Sequence, residues 1–426
     1  MSKQARAPSD LGGASAEIRS LVLTGNHAGA RALTARLVGE TFGLPVTSVI
    51  FTLDEYSLNS VSGRAMLADG TARFFKFHTE DGEAGHVSEY YRGELLATAG
   101  LPVELPIAVS TVPGRQIALY ELRTEPRLAD ICVELERAAG ADARLPGQLL
   151  AARRALDTIT GQVMVATLRS PTPSSAGAAI HQLFYHRLAD PAGAFPGGRY
   201  LTWYAGHPDW AGLSRRRWRV NGVEYRSTLA ELAAQAAALL RPRQLSTLDV
   251  VTAHGDDHQG NIWVMDAGPG ASQLRLFDLA FAGTDIPALL APVKATFHNS
   301  LAHPFWLYHP ADVARSQIQV TVSDAEVSVE DGDALSPLRE DILDSIAGLV
   351  WQPLLAALAA RGRLPVNWRA IVRAALFACP MLVTSLIAPE RPGPARFLGL
   401  SRAVMAGSEP SSGRDVVTEF LDRIAP

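Results

Sequence analysis

The hydrophobic pattern of the chain changes near residue 124, and this change limits the folds that the chain can adopt. From residue 45 to residue 123, short apolar runs are separated by turn signals, such as "ADG" between "SVSGRAML" and "TARFFKFH". The pattern predicts three strands, one helix and two further strands. After residue 124 the apolar residues recur mostly at helical spacing. The sequence therefore predicts an α+β protein, with a small antiparallel sheet before a larger, mostly helical part.

A chain of 426 residues is long enough for two lobes of ordinary domain size. We expect a tail and helical extension over residues 1–44, a sheet-containing N-terminal lobe over residues 45–123 and a C-terminal lobe over residues 124–426. Within the first segment, residues 15–43 have helix-like spacing that glycines interrupt.

Composition excludes several classes of protein. The chain is 47% apolar and 19% charged, as in soluble globular proteins, and its net charge of −4 argues against a nucleic-acid partner. Cys132 and Cys379 are too few for a disulfide framework and lack zinc-site spacing. The stretch "ALFACPMLVTSLIA" is too short to span a bilayer and contains Pro380, so it predicts a buried helix. We expect a reduced, cytoplasmic protein without membrane contact, and its oligomeric state stays open.

Lysine is rare in this chain, which makes each lysine informative. Of 39 basic residues, only Lys3, Lys76 and Lys294 are lysines. Lys76 lies in the middle of the strand "ARFFKFH", between Phe75 and Phe77. We interpret it as a ligand-binding residue; the simpler alternative is that strand alternation turns it into solvent.

A dense polar cluster stands between two apolar runs in "VVTAHGDDHQGNIWV", residues 250–264. His254, Asp256 and Asn261 occur there in the order H-x-D-x-x-x-x-N, and Asp278 follows in "LRLFDLAFAG". The runs "NIWVM" and "LRLF", with the turn "DAGPG" between them, predict a hairpin that links the two stretches. This spacing is that of the catalytic loop in phosphoryl transfer of the protein-kinase type.

That chemistry gives each polar residue a role. Asp256 would accept the proton of the attacking hydroxyl, while Asn261 and Asp278 would bind Mg²⁺, which prefers hard oxygen ligands. We interpret His254 and His258 as supports of the loop, through backbone hydrogen bonds or packing.

Such a site also needs a cation on the ATP phosphates, supplied by the third strand and paired with a Glu of the next helix. Lys76 has the required place. The helix "SEYYRGELLATAGLPV" offers Glu89 and Glu94, which lie on different faces because they are five residues apart. We favour Glu89, since it shares a face with Leu96, and keep Glu94 as the alternative.

Together these motifs resemble the aminoglycoside phosphotransferase/choline kinase family. The resemblance rests on "HGDDHQGN", "FDLAFAG", the Lys76 strand and the helix ending in "AGLPVELPI", over roughly residues 45–123 and 227–291. It implies a two-lobed protein-kinase-like fold and transfer of the γ-phosphoryl group of ATP, with Mg²⁺, to a hydroxyl of a small molecule. The residues carried over are Asp256, Asn261, Asp278, Lys76 and Glu89.

The loop also departs from the family pattern. Gly255 and His258 fit the family's H-G-D-x-H sequence, but Asp257 stands where an apolar residue is usual. Asp257 either changes the local charge or points to solvent. Between the first two strands, "DEYSLNSVSG" contains no Gly-rich repeat, so no phosphate contact is assigned there.

Other enzyme classes account for the same residues less completely. His254 and Asp256, with His298 or His303, would form a two-His-one-carboxylate iron site, but this leaves the other motif residues unexplained. The histidine spacing of a zinc protease is present, but Gly255 replaces the required Glu. A Walker A loop is excluded because none of the three lysines follows a glycine.

Two alternatives keep the kinase-like fold. One is a kinase that acts on a hydroxyl of a peptide or protein, and the other is a binding protein without activity. No expected catalytic position is replaced, which argues against the second. The family resemblance favours a small-molecule acceptor over a peptide, and it does not separate ATP from GTP.

The segment 195–226 is rich in aromatic residues and arginines. It contains Trp203, Trp210 and Trp218 and the run "SRRRWR". These residues either bind a ring-containing or anionic acceptor, or pack an irregular insertion whose arginines face water. The second interpretation is the simpler, so the acceptor is not predicted.

Overall fold

The computed structural model describes residues 13–52, 60–78, 93–315, 318–332 and 334–426. The chain forms two compact units, which are residues 1–94 with 104–125, and residues 95–103 with 126–426. The first unit contains the sheet that the sequence predicts, and the second is mostly helical.

Two helices open the first unit, α1 at Ala14–Leu23 and α2 at His27–Phe42. The chain reverses between them at Gly25, whose φ of 78° costs glycine little. Asn26 then caps α2, because its side-chain oxygen accepts a 3.1 Å hydrogen bond from the Gly29 amide. The predicted helical segment is therefore split in two at a glycine.

Five strands follow in this unit, which are β1 at Val46–Thr52, β2 at Ser60–Leu67, β3 at Ala72–His78, β4 at Ala108–Ser110 and β5 at Ile117–Glu121. They form one antiparallel sheet in the spatial order β1-β2-β3-β5-β4. The predicted "ADG" turn joins β2 to β3, and the Asp69 carboxylate accepts a 2.9 Å hydrogen bond from the Thr71 amide there.

The sheet packs one face against the two helices. Phe75 and Phe77 of β3 are fully buried and belong to one apolar cluster with Ile18 of α1 and Leu37 of α2. Because side chains alternate along a strand, Lys76 points to the opposite face of the sheet.

The principal helices of the rest of the chain are α3 at Gly93–Ala99, α4 at Leu128–Ala139, α5 at Gly147–Ala166, α6 at Leu229–Leu239, α7 at Val293–Thr296, α8 at Pro337–Ile346, α9 at Gln352–Ala360, α10 at Trp368–Val383, α11 at Gly393–Gly407 and α12 at Val416–Ile424. Wider turns at Phe297–Leu301 and Ala347–Trp351 extend α7 and join α8 to α9. Shorter helical segments lie at Gly140–Asp142, Pro173–Gly177, Ala179–Leu183, Tyr185–Arg187, Gly198–Tyr200, Leu201–Ala205, Trp210–Ser214, Pro242–Leu245, Gln259–Asn261, Pro304–Leu307 and Pro310–Arg315.

The strands of the second unit are β6 at Arg217–Val220, β7 at Val223–Glu224, β8 at Val250–Ala253, β9 at Ile262–Asp266, β10 at Ser272–Leu276, β11 at Gly283–Pro287, β12 at Ile318–Val322 and β13 at Glu326–Asp331. Strands β9 and β10 form an antiparallel hairpin, and β8 pairs with β11. The other four form a mixed sheet in the order β12-β13-β6-β7.

The prediction of an α+β fold, with a small antiparallel sheet and a mostly helical remainder, is confirmed. The hairpin predicted after the polar loop is β9–β10, and the alternating stretch "SQIQVTVSDAEVSVEDG" supplies β12 and β13. The predicted helix before β4 is described over α3 only, since residues 79–92 lie outside the described part of the chain.

One helical run of the described chain, Pro337–Ala360, is long and apolar enough to cross a bilayer by length and composition. In the fold, 56% of its most apolar window is buried, and the Trp351 indole donates a 2.8 Å hydrogen bond to the Thr296 hydroxyl. A core helix of a folded unit meets the same two criteria. The apolar stretch around Pro380 is the buried helix α10, as predicted.

Candidate active site

The polar loop lies between β8 and β9, and its shape depends on one glycine. Gly255 has a φ of 80°, and a Cβ atom at this position would lie 2.7 Å from the Phe281 carbonyl oxygen. Both the backbone conformation and the close approach therefore require glycine. The loop can turn sharply after the buried strand β8 and present the next residue, Asp256, at the strand end.

His254 holds this turn through both ring nitrogens. Its Nε2 donates a 2.8 Å hydrogen bond to the Phe277 carbonyl, and its Nδ1 accepts a 3.2 Å bond from the Asp256 amide. The imidazole thus ties the loop to the residue that precedes Asp278.

Asn261 and Asp278 lie next to each other through a backbone contact. The Phe277 amide donates a 3.0 Å hydrogen bond to the Asn261 carbonyl. The Asn261 side-chain nitrogen donates a 2.9 Å hydrogen bond to the Asp256 backbone carbonyl. The side-chain oxygen of Asn261 therefore points away from that carbonyl. Asp278 has a φ of 59°, a left-handed conformation that is uncommon outside glycine. Such conformations concentrate at functional sites, where the surrounding structure imposes them.

The Asp256 carboxylate is mostly buried, with 13% of its side chain exposed, and it faces two basic side chains. Lys294 Nζ lies 3.5 Å from Oδ1, and His258 Nε2 lies 3.9 Å from Oδ2. Burial opposes ionisation, but the neighbouring basic groups, with Lys294 first among them, more than offset it and hold the pKa of Asp256 below its usual value. Asp256 is therefore a carboxylate at neutral pH.

His258 contributes little of that positive charge at neutral pH. Burial lowers its pKa to about 4, although the Asp256 carboxylate opposes this effect. Its Nδ1 accepts a 3.1 Å hydrogen bond from the Gly260 amide, so the ring proton is on Nε2, toward Asp256. The neutral imidazole supports the loop, and Lys294 is the charged group beside the carboxylate.

The residues present suit a hard divalent cation. The charge of Asp278 acts to raise the pKa of Asp256, as a second carboxylate near the loop does. Asn261 adds a carbonyl oxygen, and Mg²⁺ commonly takes one or two protein oxygens and fills its remaining positions with phosphate and water. Among the described residues, no group of three or more His, Cys, Asp or Glu side chains could hold a metal ion.

This geometry disfavours the iron alternative. One ring nitrogen of His254 donates to the Phe277 carbonyl and the other accepts from the Asp256 amide, so neither is available as a metal ligand. His298 and His303 are also engaged, with Lys294 and Glu136 respectively.

The phosphate-binding residues predicted from the sequence are Lys76, which belongs to the first unit, and its partner Glu89 or Glu94. Lys76 is only 7% exposed, so it is not a solvated strand residue. In the strand register it lies opposite Ser62 of β2 and Ala118 of β5. Glu89 lies outside the described residues. Its alternative, Glu94, is exposed in the first turn of α3.

Asp257 does not point to solvent, which corrects one of its two interpretations. It is buried, and burial raises its pKa above the usual value despite the neighbouring His254 and Arg153. Arg153 itself is paired with Asp157 of the same helix at 2.6 Å. Asp257 is therefore a buried carboxyl whose electrostatic neighbours are His254 and the Arg153–Asp157 pair.

The aromatic residues of segment 195–226 pack inside the second unit. Trp210 and Trp218 are buried, and the Trp210 ring lies 4.8 Å from that of Tyr204. Arg219 pairs with Glu224 at 2.8 Å and also with Glu326. The simpler of the two interpretations, a packed insertion with surface ion pairs, describes these residues.

Sequence reasoning missed a group of residues behind the loop. Lys294, His298 and Asn299 come from α7 and the wide turn that extends it. The Gln259 amide of the loop donates a 2.7 Å hydrogen bond to the Asn299 side-chain oxygen. The rarity of lysine was the signal that could have identified Lys294, but no motif links it to the loop.

No protein-family model and no curated protein sequence matches this chain. Solved structures do. A spectinomycin phosphotransferase, solved with ADP and spectinomycin, covers 92% of this chain and 98% of its own, with 13% identity and a TM-score of 0.35.

Two other matches are kinases. An ethanolamine kinase of Plasmodium vivax covers 84% of this chain and 81% of its own, with 8% identity and a TM-score of 0.39. An amicoumacin kinase, solved with AMP-PNP and Ca²⁺, covers 89% and 90%, with 14% identity and a TM-score of 0.39. By their names these proteins are kinases and phosphotransferases that act on small molecules.

Proposed function

We propose that this protein is an ATP- and Mg²⁺-dependent phosphotransferase that transfers the γ-phosphoryl group of ATP to a hydroxyl of a small molecule. The observation that carries the proposal is the loop from His254 to Asn261. The proposal is supported by a mostly buried Asp256 with a lowered pKa, whose backbone carbonyl accepts a hydrogen bond from Asn261, and by Asp278 after the next hairpin, the residue types that this chemistry requires.

Asp256 acts as the base. It accepts a hydrogen bond from the acceptor hydroxyl, orients the oxygen toward the γ-phosphorus and takes its proton as the new P–O bond forms and the bond to ADP breaks. Oδ1 of Asp256 is buried beside Lys294, and 13% of the side chain stays exposed, so the hydroxyl would meet the carboxylate on the side away from Oδ1. Most of the rate enhancement comes from positioning and charge neutralisation.

Asn261 and Asp278 are the residues that would hold Mg²⁺, through an amide oxygen and a carboxylate. When bound, the ion neutralises charge on the phosphates. The hydrogen bond from the Phe277 amide to the Asn261 carbonyl holds together the two backbone segments that carry Asn261 and Asp278.

Lys76 binds ATP phosphates in this proposal, with Glu89 as its partner. Lys76 is 7% exposed and lies in the centre of the sheet, on the face opposite Phe75 and Phe77. Both cysteines are free and buried, and burial raises the pKa of the Cys379 thiol to about 12.

The test is a mass-spectrometric screen with ATP, Mg²⁺ and panels of amino alcohols, aminocyclitols, neutral sugars and an extract of the source cells. The matched control is Asp256→Asn, which keeps the size of the side chain and removes the base. A small molecule that gains one phosphate with the wild type and not with the variant supports the proposal.

A different outcome would redirect it. Phosphorylation of a peptide or protein, with no small-molecule product, would move the function to the alternative kinase class. Binding of Mg²⁺·ATP without transfer to any acceptor or to water would contradict enzymatic activity and indicate a nucleotide-binding protein.

A further inference from the structure

Lys294 lies at the site without belonging to the motif that defines it. The residue is 3% exposed and comes from α7, outside the polar loop. Its ammonium lies 3.5 Å from Oδ1 of Asp256 and 2.9 Å from Nε2 of His298. A buried lysine is uncommon unless its charge is compensated, and Asp256 is the carboxylate beside it.

The position of the ammonium is set from behind by a chain of hydrogen bonds. Because Lys294 can only donate, His298 Nε2 must accept, which leaves the ring proton on Nδ1. That nitrogen lies 2.9 Å from the Tyr308 hydroxyl and donates to it. Burial, followed by the charge of Lys294, lowers the pKa of His298 well below its usual value, so the ring stays neutral in this tautomer.

The distance between lysine and carboxylate has a chemical consequence. At 3.5 Å the contact is an ion pair without a hydrogen bond, and it is made to Oδ1, an oxygen that is itself buried. The Asp256 side chain keeps 13% of its surface exposed away from that oxygen. Lys294 therefore fixes the carboxylate electrostatically through its buried oxygen and leaves the exposed part of the side chain to the acceptor hydroxyl.

We propose that Lys294 is a positioning residue that holds the Asp256 carboxylate in the orientation required for the acceptor hydroxyl, with His298 and Tyr308 holding the ammonium in turn. This inference rests on the proposed function and adds to it a residue from outside the catalytic motif. It predicts that Lys294 acts on transfer through Asp256 and has little effect on nucleotide binding.

The experiment is a double-variant cycle of Lys294→Met and Asp256→Asn. Single-turnover transfer is measured from Mg²⁺·[γ-³²P]ATP to water, and to the acceptor that the screen identifies. Lys294→Met removes the charge at similar side-chain length and should lower the transfer rate by about 10- to 100-fold, as expected for a misplaced reacting group. In the Asp256→Asn background the same substitution should change the rate by less than about twofold, because residues that act as a unit are not additive.

Two further variants separate positioning from general loss of stability. Tyr308→Phe removes the hydroxyl that holds His298 and should lower the rate less than Lys294→Met does. Arg373→Met removes another buried cation, one that pairs with Glu409 at 2.8 Å outside the site. It should lower the thermal stability and leave the rate per folded molecule unchanged. The dissociation constant of Mg²⁺·ATP should stay the same within about threefold in all four single variants, because none of them removes a group that is proposed to bind the nucleotide in its ground state. These variants are Lys294→Met, Asp256→Asn, Tyr308→Phe and Arg373→Met.

Several results would overturn the inference. An unchanged rate in Lys294→Met, an equal loss in both backgrounds, or a loss of Mg²⁺·ATP binding in place of transfer would each show that Lys294 does not act through Asp256. If the wild type transfers phosphate to neither water nor any acceptor, the proposed function fails. Thermal unfolding of the wild type, Lys294→Met, Asp256→Asn and the double variant then tests the Lys294–Asp256 contact by itself, because their coupling appears there without turnover. Additive losses of stability would overturn the contact.

Discussion

Two regions of the helical unit are rich in side chains that commonly bind ligands, and they bury these side chains differently. In the loop around Asp256, Oδ1 of the carboxylate has no hydrogen-bond partner among the described residues. In segment 195–226, the Tyr204 hydroxyl is bonded to the Leu386 amide and the Thr384 carbonyl. The Trp210 indole donates to a neighbouring tyrosine at 3.3 Å.

The difference distinguishes a reaction site from a packed insertion. Folded proteins satisfy nearly all of their buried polar groups, so a buried carboxylate with unused acceptor capacity requires a functional explanation. Tyr204 and Trp210, whose polar atoms have partners, need only a structural one. The buried polar groups of their segment that lack a partner among the described residues are the neutral indole N–H of Trp218 and Nε of Arg216, not a carboxylate. Substitutions in the loop should therefore affect transfer, and substitutions in segment 195–226 should affect stability.

The largest effect is expected for Asp256→Asn. The amide cannot take the acceptor proton, so the transfer rate should fall by about 10³- to 10⁴-fold. Single-turnover measurements give the rate, and equilibrium dialysis should show that Mg²⁺·ATP still binds. A variant that kept the full rate would remove Asp256 from the role of base and would erase the contrast between the two regions.

Trp210→Ala tests the other region. The residue is 4% exposed and packs on Tyr204, so its truncation should lower the free energy of unfolding by about 3–5 kcal/mol. Chemical denaturation measures this loss. The transfer rate per folded molecule should be unchanged, whereas a raised KM for the acceptor with normal stability would place segment 195–226 in the acceptor site.

Asp278 tests the metal ligands. Asp278→Ala should raise the Kd of ATP in the presence of Mg²⁺ by at least about tenfold, and binding without the ion should change little. Asp278→Asn is the companion variant, since Asn tolerates the left-handed backbone and removes only the charge. The control is Asp285→Ala, whose carboxylate pairs with Arg169 at 2.9 Å. Equal losses in both Ala variants would contradict a specific metal role.

The smallest effect concerns pH and His181. Burial lowers the pKa of His181 from 6.5 to about 4, and its Nε2 lies 3.2 Å from the Ser175 carbonyl. The folded state therefore resists protonation, so this contribution to stability is complete above pH 6.5 and is lost as the pH falls toward 4. By pH 5 the free energy of unfolding should drop by about 1–2 kcal/mol from this group.

His181→Gln provides the comparison, because it removes the titrating ring. The slope of stability against pH should be shallower in the variant between pH 6.5 and 5. Parallel slopes in the two proteins would mean that other groups dominate the acid sensitivity of this unit.

Local pattern predicts the elements that carry the site, because strands, turns and caps depend on nearby residues. The hairpin β9–β10 follows from alternation and a Gly-containing turn. The cap of α6 is also encoded locally: Thr228 is the cap, and the Glu231 side chain completes the capping box with it.

Tertiary contacts explain what the pattern did not predict. Lys294 approaches Asp256 because α7 packs behind the loop, and no spacing rule connects two such distant positions. Asp257 lies in the loop that follows a strand end, and the local sequence there is compatible with either a buried or an exposed side chain. Its burial, with Arg153 nearby, depends on tertiary packing.

The scarcity of lysine gives this protein a simple chemical handle. Two of its three side-chain amines, those of Lys76 and Lys294, are buried, and both belong to the proposed reaction machinery. Amine-directed reagents should therefore modify the folded chain slowly at these two positions. Peptide mapping after brief acetylation would report the opening of each unit separately, and protection of Lys76 by ATP would reveal nucleotide binding without an assay of turnover.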